Sequence, residues 1–126
     1  MECFFGSHPL PKESPTDKSA VVAFHIPAVG IRFKAPFDAA DPDHSDYASL
    51  LALLEFIDSN QKYFSNHTYQ IYGTNLTVIN QLNQREAPPP HYAPLIQKAL
   101  DYRKKYRFSL DWIPSNDNTA FDGLLD

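Results

Sequence analysis

A strand that runs directly into a helix is the feature that most constrains the fold of this chain. The segment 68–83, TYQIYGTNLTVINQLN, opens with alternating β-branched and aromatic residues, which predicts a strand over 68–72. Gly73 ends the strand, and Thr74 or Asn75 is placed to cap a helix. The apolar residues of that helix recur at helical spacing: Leu76, Ile79 and Leu82. Ligands and catalytic groups of open α/β sheets lie at such carboxyl ends of strands, so position 74 marks a candidate site.

Further strands and helices are predicted on either side of this unit. Apolar runs predict strands over 2–7 and Ala20–Ile26, and alternating apolar residues predict strands over 29–35 and 108–113. Apolar residues at helical spacing predict helices over 47–58, 91–107 and 119–125. The first of these helices is expected to be capped by Asp43 or Ser45, and the last by Asp117 or Asn118. This order predicts an α/β fold with a mixed five-stranded sheet, in which three antiparallel strands are followed by parallel ones.

Length and composition indicate one globular domain over 1–126. The chain is 43% hydrophobic, which is sufficient for a moderate core. Its net charge of −4 argues against tight, non-specific binding of nucleic acid. No apolar run approaches the ~18 residues of a membrane span. Cys3 is the single cysteine, so an internal disulfide is excluded and an intracellular compartment, cytoplasm or nucleus, is expected.

Four short phrases of the chain match a known family in the same order. They are Cys3–Ser7 in the first strand, Ser45-Asp46-Tyr47 at the first helix, Gly73-Thr74-Asn75 after the fourth strand, and 113–124 at the C-terminus. The family has Tyr-Phe-Asp-Gly-Ser, Ala-Glu-Tyr, Gly-Asp-Ser and an Ile-Pro…Asn-x-x-Ala-Asp-x-Leu phrase at these places. The chain thus resembles the ribonuclease H-like family, especially the domains of plant retrotransposons and related bacterial proteins. The resemblance covers nearly the whole chain and implies a ribonuclease H-like fold.

The resemblance also implies an activity, the cleavage of the RNA strand of RNA–DNA hybrids by two divalent ions that four carboxylates hold. Carried over residue by residue, the four carboxylate positions fall on Phe5, Asp46, Thr74 and Asp122. A phenyl ring and a hydroxyl group replace two acids, and Asp46 is one methylene shorter than the family's glutamate. Two separated carboxylates are a poor site for Mg²⁺, which requires near-octahedral oxygen coordination. Asp46 and Asp122 are therefore predicted as remnant catalytic positions and metal ligands, with Mg²⁺ or Mn²⁺ expected only if the domain is active.

Structural roles are the simpler explanation for several of these positions. Phe5 is expected to pack in the core or at its rim, and Thr74 to cap the following helix. Asp46 and Asp122 can each precede or cap a helix in solvent. Trp112 is expected in the core, together with two tyrosines, Tyr102 and Tyr106.

One basic cluster lies along the predicted helix 91–107. Its members are Lys98, Arg103, Lys104, Lys105 and Arg107. The family places part of its substrate-binding surface in this region, so the resemblance implies a contact with nucleic acid. The alternative explanation is a charged helix face in contact with solvent.

Three functions are compatible with these observations. The first is a catalytically impaired ribonuclease H-like domain that binds nucleic acid weakly or serves as an interaction module. The second is an active, metal-dependent ribonuclease H that uses Asp46, Asp122 and a third acid from the nearby loops, where Asp41, Asp43 and Asp117 lie. The third is a protein-interaction or homodimerisation module without nucleic-acid binding, pairing through the edge of its first strands.

Overall fold

Five strands and four helices make up the part of the chain that the computed structural model describes, residues 1–11, 17–64 and 67–122. The strands are β1 (Glu2–Pro9), β2 (Ala20–Ile26), β3 (Ile31–Phe37), β4 (Tyr69–Gly73) and β5 (Phe108–Trp112). The helices are α1 (Pro42–Ser59), α2 (Gln61–Phe64), α3 (Leu76–Leu82) and α4 (Ala93–Lys105). Within these described segments, none of the helices is both long and apolar enough to cross a lipid bilayer.

The strands form one mixed sheet in the order β3-β2-β1-β4-β5. β2 is antiparallel to β1 and β3, whereas β4 is parallel to both β1 and β5. This arrangement confirms the predicted mixed five-stranded sheet. It also brings the carboxyl ends of β4 and β5 to the same edge, because parallel neighbours share their direction.

The core lies between one face of the sheet and α1. Alternate residues of the central strands point to this face and are buried, including Phe5, Phe24 and Ile71. α1 contributes a broad apolar surface with Leu50, Leu53, Leu54 and Ile57. The opposite face of the sheet is partly covered by the 3₁₀ turn Thr119–Phe121, whose Phe121 ring lies over Gly6.

The chain departs from the predicted elements at several places, and the helix α2 lies in a segment for which no element is predicted. β3 begins later than predicted, because Pro27–Val29 forms a 3₁₀ turn that ends at Gly30 in the left-handed conformation (φ 66°). α1 is capped by Asp41, whose side chain accepts from the His44 amide, and not by Asp43 or Ser45. The start of the predicted helix 119–125 is a 3₁₀ turn capped by Asn118, and 123–125 lie outside the described residues.

Strand order decides which backbone edges are accessible to a partner. β1 and β2 are interior strands, so pairing with another chain through them is excluded, and of the first three strands only β3 lies at an edge. β3 carries exposed Arg32, Lys34 and Pro36, which are residue types that protect sheet edges from pairing. This correction limits the predicted dimerisation through the first strands to β3.

A substitution at Ile71 of β4 tests which face of the sheet packs in the core. The substitution Ile71→Ala leaves a cavity in the middle of the sheet face that packs on α1, and Ile71 is fully buried. We expect the free energy of unfolding to fall by about 2–5 kcal/mol in urea denaturation. The neighbouring exposed residue provides the control, since Gln70→Ala is expected to change the same quantity by about 0.5 kcal/mol or less. Equal effects of the two substitutions would contradict the strand orientation.

Candidate functional site

Phe5 lies in the middle of β1, beside the carboxyl end of the parallel strand β4. The register that pairs Phe4 with Tyr72 places Phe5 beside Gly73. The Phe5 side chain is buried, and a Cβ atom built on Gly73 would lie 2.5 Å from Cζ of the ring. The ring therefore fills the space in front of residue 73, which confirms the predicted packing role. A phenyl ring offers no oxygen to a metal ion at this position.

Thr74 follows β4 directly and is held by a buried amide. Its hydroxyl oxygen accepts from Nδ2 of Asn118 at 3.0 Å, and the same nitrogen donates to the backbone oxygen of Phe5 at 2.9 Å. Asn75 is the residue that caps α3, because its Oδ1 accepts from the Val78 amide at 3.2 Å. The predicted capping role of Thr74 is thus wrong. Asn118 instead ties the middle of β1 and the residue that follows β4 to the C-terminal turn.

Asp46 projects from α1 towards the end of β1. Its carboxylate accepts from Oγ of Ser7 at 3.1 Å and from Nδ2 of Asn75 at 2.9 Å. Burial raises the pKa of Asp46 to about 6, although the hydrogen bonds from Asn75 and Ser7 oppose this shift. The negative charge of Asp43 adds to the increase.

Asp43 lies one turn before Asp46 on α1 and joins the same cluster. Its Oδ1 accepts from Nδ2 of Asn75 at 2.8 Å, so one amide nitrogen donates to both carboxylates. Sequence reasoning left Asp43 among the loop acids and missed Asn75 as a link between elements. The spacing of three residues between Asp43 and Asp46 is the signal that could have paired them, since such residues share a helix face.

Asp122 lies elsewhere. Its side chain is 70% exposed and pairs with Nη2 of Arg32 on β3 at 3.9 Å. Arg32 also donates to the backbone oxygen of Thr119 at 2.7 Å, next to the hydrogen bond between Thr119 and His25 of β2. The second remnant acid is therefore held at the β3 side of the C-terminal turn, whereas Asp46 is held on α1. Among the described residues, the hydrogen-bond and ion-pair partners of Asp46 differ from those of Asp122.

The residues present do not fit a two-metal centre. Across residues 1–11, 17–64 and 67–122, no three side chains of His, Cys, Asp or Glu are grouped so that they could hold a metal ion. Two of the four positions that the resemblance assigns to carboxylates are occupied by Phe5 and Thr74. The two remaining carboxylates have different protein partners.

An open groove of about 300 Å³ runs beside this cluster. Its polar lining includes Ser7, Ser45, Asp41 and Asp46, and the two serine hydroxyls lie 2.8 Å apart. Asp41 also accepts a hydrogen bond from the Tyr92 hydroxyl, which lowers its pKa. The groove offers hydroxyl groups and carboxylates, so its chemistry suits hydrogen-bond donors and disfavours a phosphate backbone.

The basic cluster is divided by its contacts. Arg103 donates to Oδ1 of Asn83 at 2.9 Å and stacks over Phe108, so it joins α4 to the end of α3. Lys105 forms an ion pair with Asp58 at 2.6 Å, and Lys104 lies 4.0 Å from Asp101. Lys98 and Arg107 are exposed. Arg107 precedes β5, at the end of the sheet opposite Thr74, so the cluster does not form one surface with the strand tips.

Comparison with known proteins identifies the fold. No protein-family model and no curated protein sequence matches this chain. Among solved structures it is similar to RNase H1 from the halophilic archaeon Halobacterium salinarum NRC-1, with 18% identity and a TM-score of 0.76 over 98% of this chain and 92% of that chain. It is also similar to LC11-RNase H1 in complex with an RNA/DNA hybrid, with 11% identity and a TM-score of 0.75 over 99% of both chains.

A third similar structure is the N-terminal RNase H domain of a Mycobacterium tuberculosis protein. The identity is 15% and the TM-score is 0.76, over 96% of this chain and 87% of that chain. At such identities the likeness establishes the ribonuclease H-like fold, and it confirms the fold class that the sequence predicts.

The ionisation of Asp46 can be measured. Its folded pKa of about 6 exceeds the ordinary value of 3.8, so the folded protein binds this proton more tightly than the unfolded chain. The resulting stabilisation is complete below pH 3.8 and is lost as the pH rises through about 6. Asp46→Asn removes this titration. We therefore expect the change that it causes in the free energy of unfolding to be more favourable at pH 7.5 than at pH 4, by roughly 1–3 kcal/mol.

Urea denaturation at the two pH values measures this difference, and a carboxyl-carbon NMR titration locates the midpoint. Asp43→Asn serves as the matched control on the same helix face, since it removes a neighbouring charge and should lower the Asp46 midpoint. A midpoint near 4 in the wild-type protein would contradict the burial of Asp46.

Proposed function

We propose that this ribonuclease H-like domain does not perform two-metal hydrolysis and serves as a weak nucleic-acid-binding module. The observation that carries the proposal is the ring of Phe5, packed on Gly73 at the strand tip where the resemblance requires an acid. That acid would bridge both ions, so its loss removes a ligand from each. An aromatic ring at the same place also excludes water and cations from the space.

The other three positions support the same conclusion. Thr74 offers a neutral oxygen that already accepts a hydrogen bond from Asn118. Asp46 would have to release Ser7 and Asn75 before it could ligate a cation. Asp122 would have to leave Arg32, whose positive charge also repels a cation. Metal binding at this place would therefore disrupt contacts at every position.

Nucleic acid is the proposed partner because the fold is that of a ribonuclease H solved with an RNA/DNA hybrid. The strand tips of this chain are acidic, with Asp41, Asp43 and Asp46 close to the groove. Without cations this edge repels a phosphate backbone, so binding is weak and uses exposed cations such as Lys98 and Arg107. RNA–DNA hybrid is the first ligand to test, followed by single strands and duplexes.

A cleavage assay tests the loss of hydrolysis. The purified chain is incubated with an RNA–DNA hybrid in Mg²⁺ and, separately, in Mn²⁺, and the products are resolved on a denaturing gel. We expect no cleavage above that of the Asp122→Asn variant, because neither protein forms a two-metal centre. Efficient cleavage by the wild-type chain that Asp122→Asn abolishes would refute the proposal.

A second function is favoured by one observation, the convergence of Asp43 and Asp46 on the Asn75 amide. Two adjacent carboxylates could support an active, metal-dependent ribonuclease H with an atypical site if a cation displaced the amide. The same assay distinguishes this function, since its cleavage would be lost in Asp43→Asn and retained in Asp122→Asn. Calorimetric titration with Mn²⁺ gives an independent measurement of the cation.

Binding is measured separately from cleavage by fluorescence anisotropy of a labelled hybrid. We expect a dissociation constant in the range of roughly 10⁻⁴–10⁻⁶ M at physiological salt, weakening steeply as salt increases. Lys98→Gln and Arg107→Gln are expected to weaken binding, whereas Gln97→Ala on the same exposed helix surface should not. Light scattering in parallel reports the oligomeric state. A stable dimer without any affinity for nucleic acid would instead favour a protein-interaction module.

A further inference from the structure

A polar basin of about 500 Å³ lies at the end of the sheet opposite the strand tips. It is lined by Gln61, Phe64, His67, Thr68, Lys105, Tyr106 and Arg107. β4 has five residues, so about 16 Å of strand separates this basin from the Phe5–Thr74 region. The basin is therefore distinct from the candidate site described above.

Backbone and side-chain hydrogen bonds fix the walls of the basin. The amide of Tyr69 donates to the backbone oxygen of Arg107 at 2.9 Å, which sets Thr68 beside Arg107 at the start of the parallel ladder. The Tyr69 hydroxyl donates to the backbone oxygen of Phe64 at 2.6 Å, which anchors the end of α2. The basin thus lies on the sheet and is not a gap between independent loops.

Asp58 positions the first cation of the basin. Its Oδ1 lies 2.6 Å from Nζ of Lys105 and also accepts from Nε2 of Gln61 at 3.2 Å and from the Tyr106 hydroxyl. These contacts lower the pKa of Asp58 and raise the pKa of Lys105, so both groups are charged at neutral pH. An ammonium group has three donors, so two remain available after the contact with Asp58.

Arg107 supplies the second cation. Its side chain is exposed, and it makes no ion pair with any residue of the described ranges. A guanidinium group presents five donors in a planar fork that matches the oxygens of phosphate. With Asp58 subtracted, Lys105 and Arg107 leave an excess of one positive charge at a polar, concave surface.

We infer that this basin binds the tetrahedral oxyanion of a phosphate group. The residues that line the space carry four kinds of hydrogen-bond donor, the Arg107 guanidinium, the Lys105 ammonium, the Thr68 hydroxyl and the His67 ring. A planar carboxylate uses one fork, whereas a phosphate accepts hydrogen bonds in several directions. The phosphate can belong to a small phosphorylated molecule or to the backbone of nucleic acid. The inference shares Arg107 with the proposed binding of nucleic acid, but it depends on no residue of the strand tips, and the inorganic-phosphate arm described below tests it separately.

An NMR titration of the backbone and arginine side-chain signals tests the inference. One arm adds inorganic phosphate and the other adds an oligothymidylate without a terminal phosphate, both with sodium chloride balanced to constant ionic strength. We expect saturable shifts at Thr68 and Arg107 in at least one arm. Arg107→Gln is expected to weaken that binding at least ten-fold, and Lys34→Gln, an exposed cation of β3 outside the basin, to leave it unchanged.

The two arms identify the source of the phosphate. Saturation by inorganic phosphate alone assigns the basin to small phosphorylated molecules, and saturation by the oligonucleotide assigns it to a phosphodiester backbone. Either result supports the inference. Shifts that saturate in neither arm, or equal losses in Arg107→Gln and Lys34→Gln, would overturn it. The backbone carbonyl of residue 107 keeps its ladder hydrogen bond in the glutamine variant, and the unfolding midpoint checks that the fold is intact.

Discussion

The contact between the Phe5 ring and Gly73 joins the two central parallel strands of the sheet, and the rest of the strand-tip region is arranged around it. Burial of a phenylalanine side chain stabilises a fold by roughly 1.5–3 kcal/mol, so the ring contributes substantially to the pairing of β1 with β4. A carboxylate in the same buried, apolar space would be costly without a cation or a donor to neutralise it. Stability therefore favours an apolar side chain at position 5, whereas metal binding requires a carboxylate there. This chain has the apolar side chain of Phe5.

Amide groups join the structural elements near the strand tips. In a two-metal site, cations hold several carboxylates together. Here Nδ2 of Asn118 joins Phe5 of β1 to Thr74 after β4, and Nδ2 of Asn75 joins Asp43 and Asp46 of α1. An amide donates hydrogen bonds without carrying a charge. The network therefore joins the elements, but it does not neutralise the repulsion between the carboxylates of Asp43 and Asp46. Burial raises the pKa of Asp46 to about 6, the hydrogen bond from the Asn75 amide opposes this shift, and the charge of Asp43 adds to it.

Local patterns predicted most of the fold, and contacts between distant elements account for what they missed. An apolar run that ends at Pro27 located β2 with its observed bounds, and the strand-to-helix unit at Gly73 appears as predicted. Trp112 shares a sheet face with Leu110, which favoured a core position, but it is the last residue of an edge strand and its side chain remains 47% exposed. The cluster of Asp43 with Asn75 depends on how α1 packs beside β4, which no local pattern specifies.

The net charge of −4 likewise does not reveal that the two ends of the sheet carry opposite local charges. Asp41, Asp43 and Asp46 lie by the strand tips, whereas Lys105 and Arg107 lie at the other end of β4. The separation of about 16 Å exceeds the Debye length of about 8 Å at physiological ionic strength, so each end acts on a ligand almost independently. An overall acidic composition therefore does not exclude binding of a polyanion. The distribution of charge between the two ends instead favours an approach of such a ligand from the end opposite the strand tips.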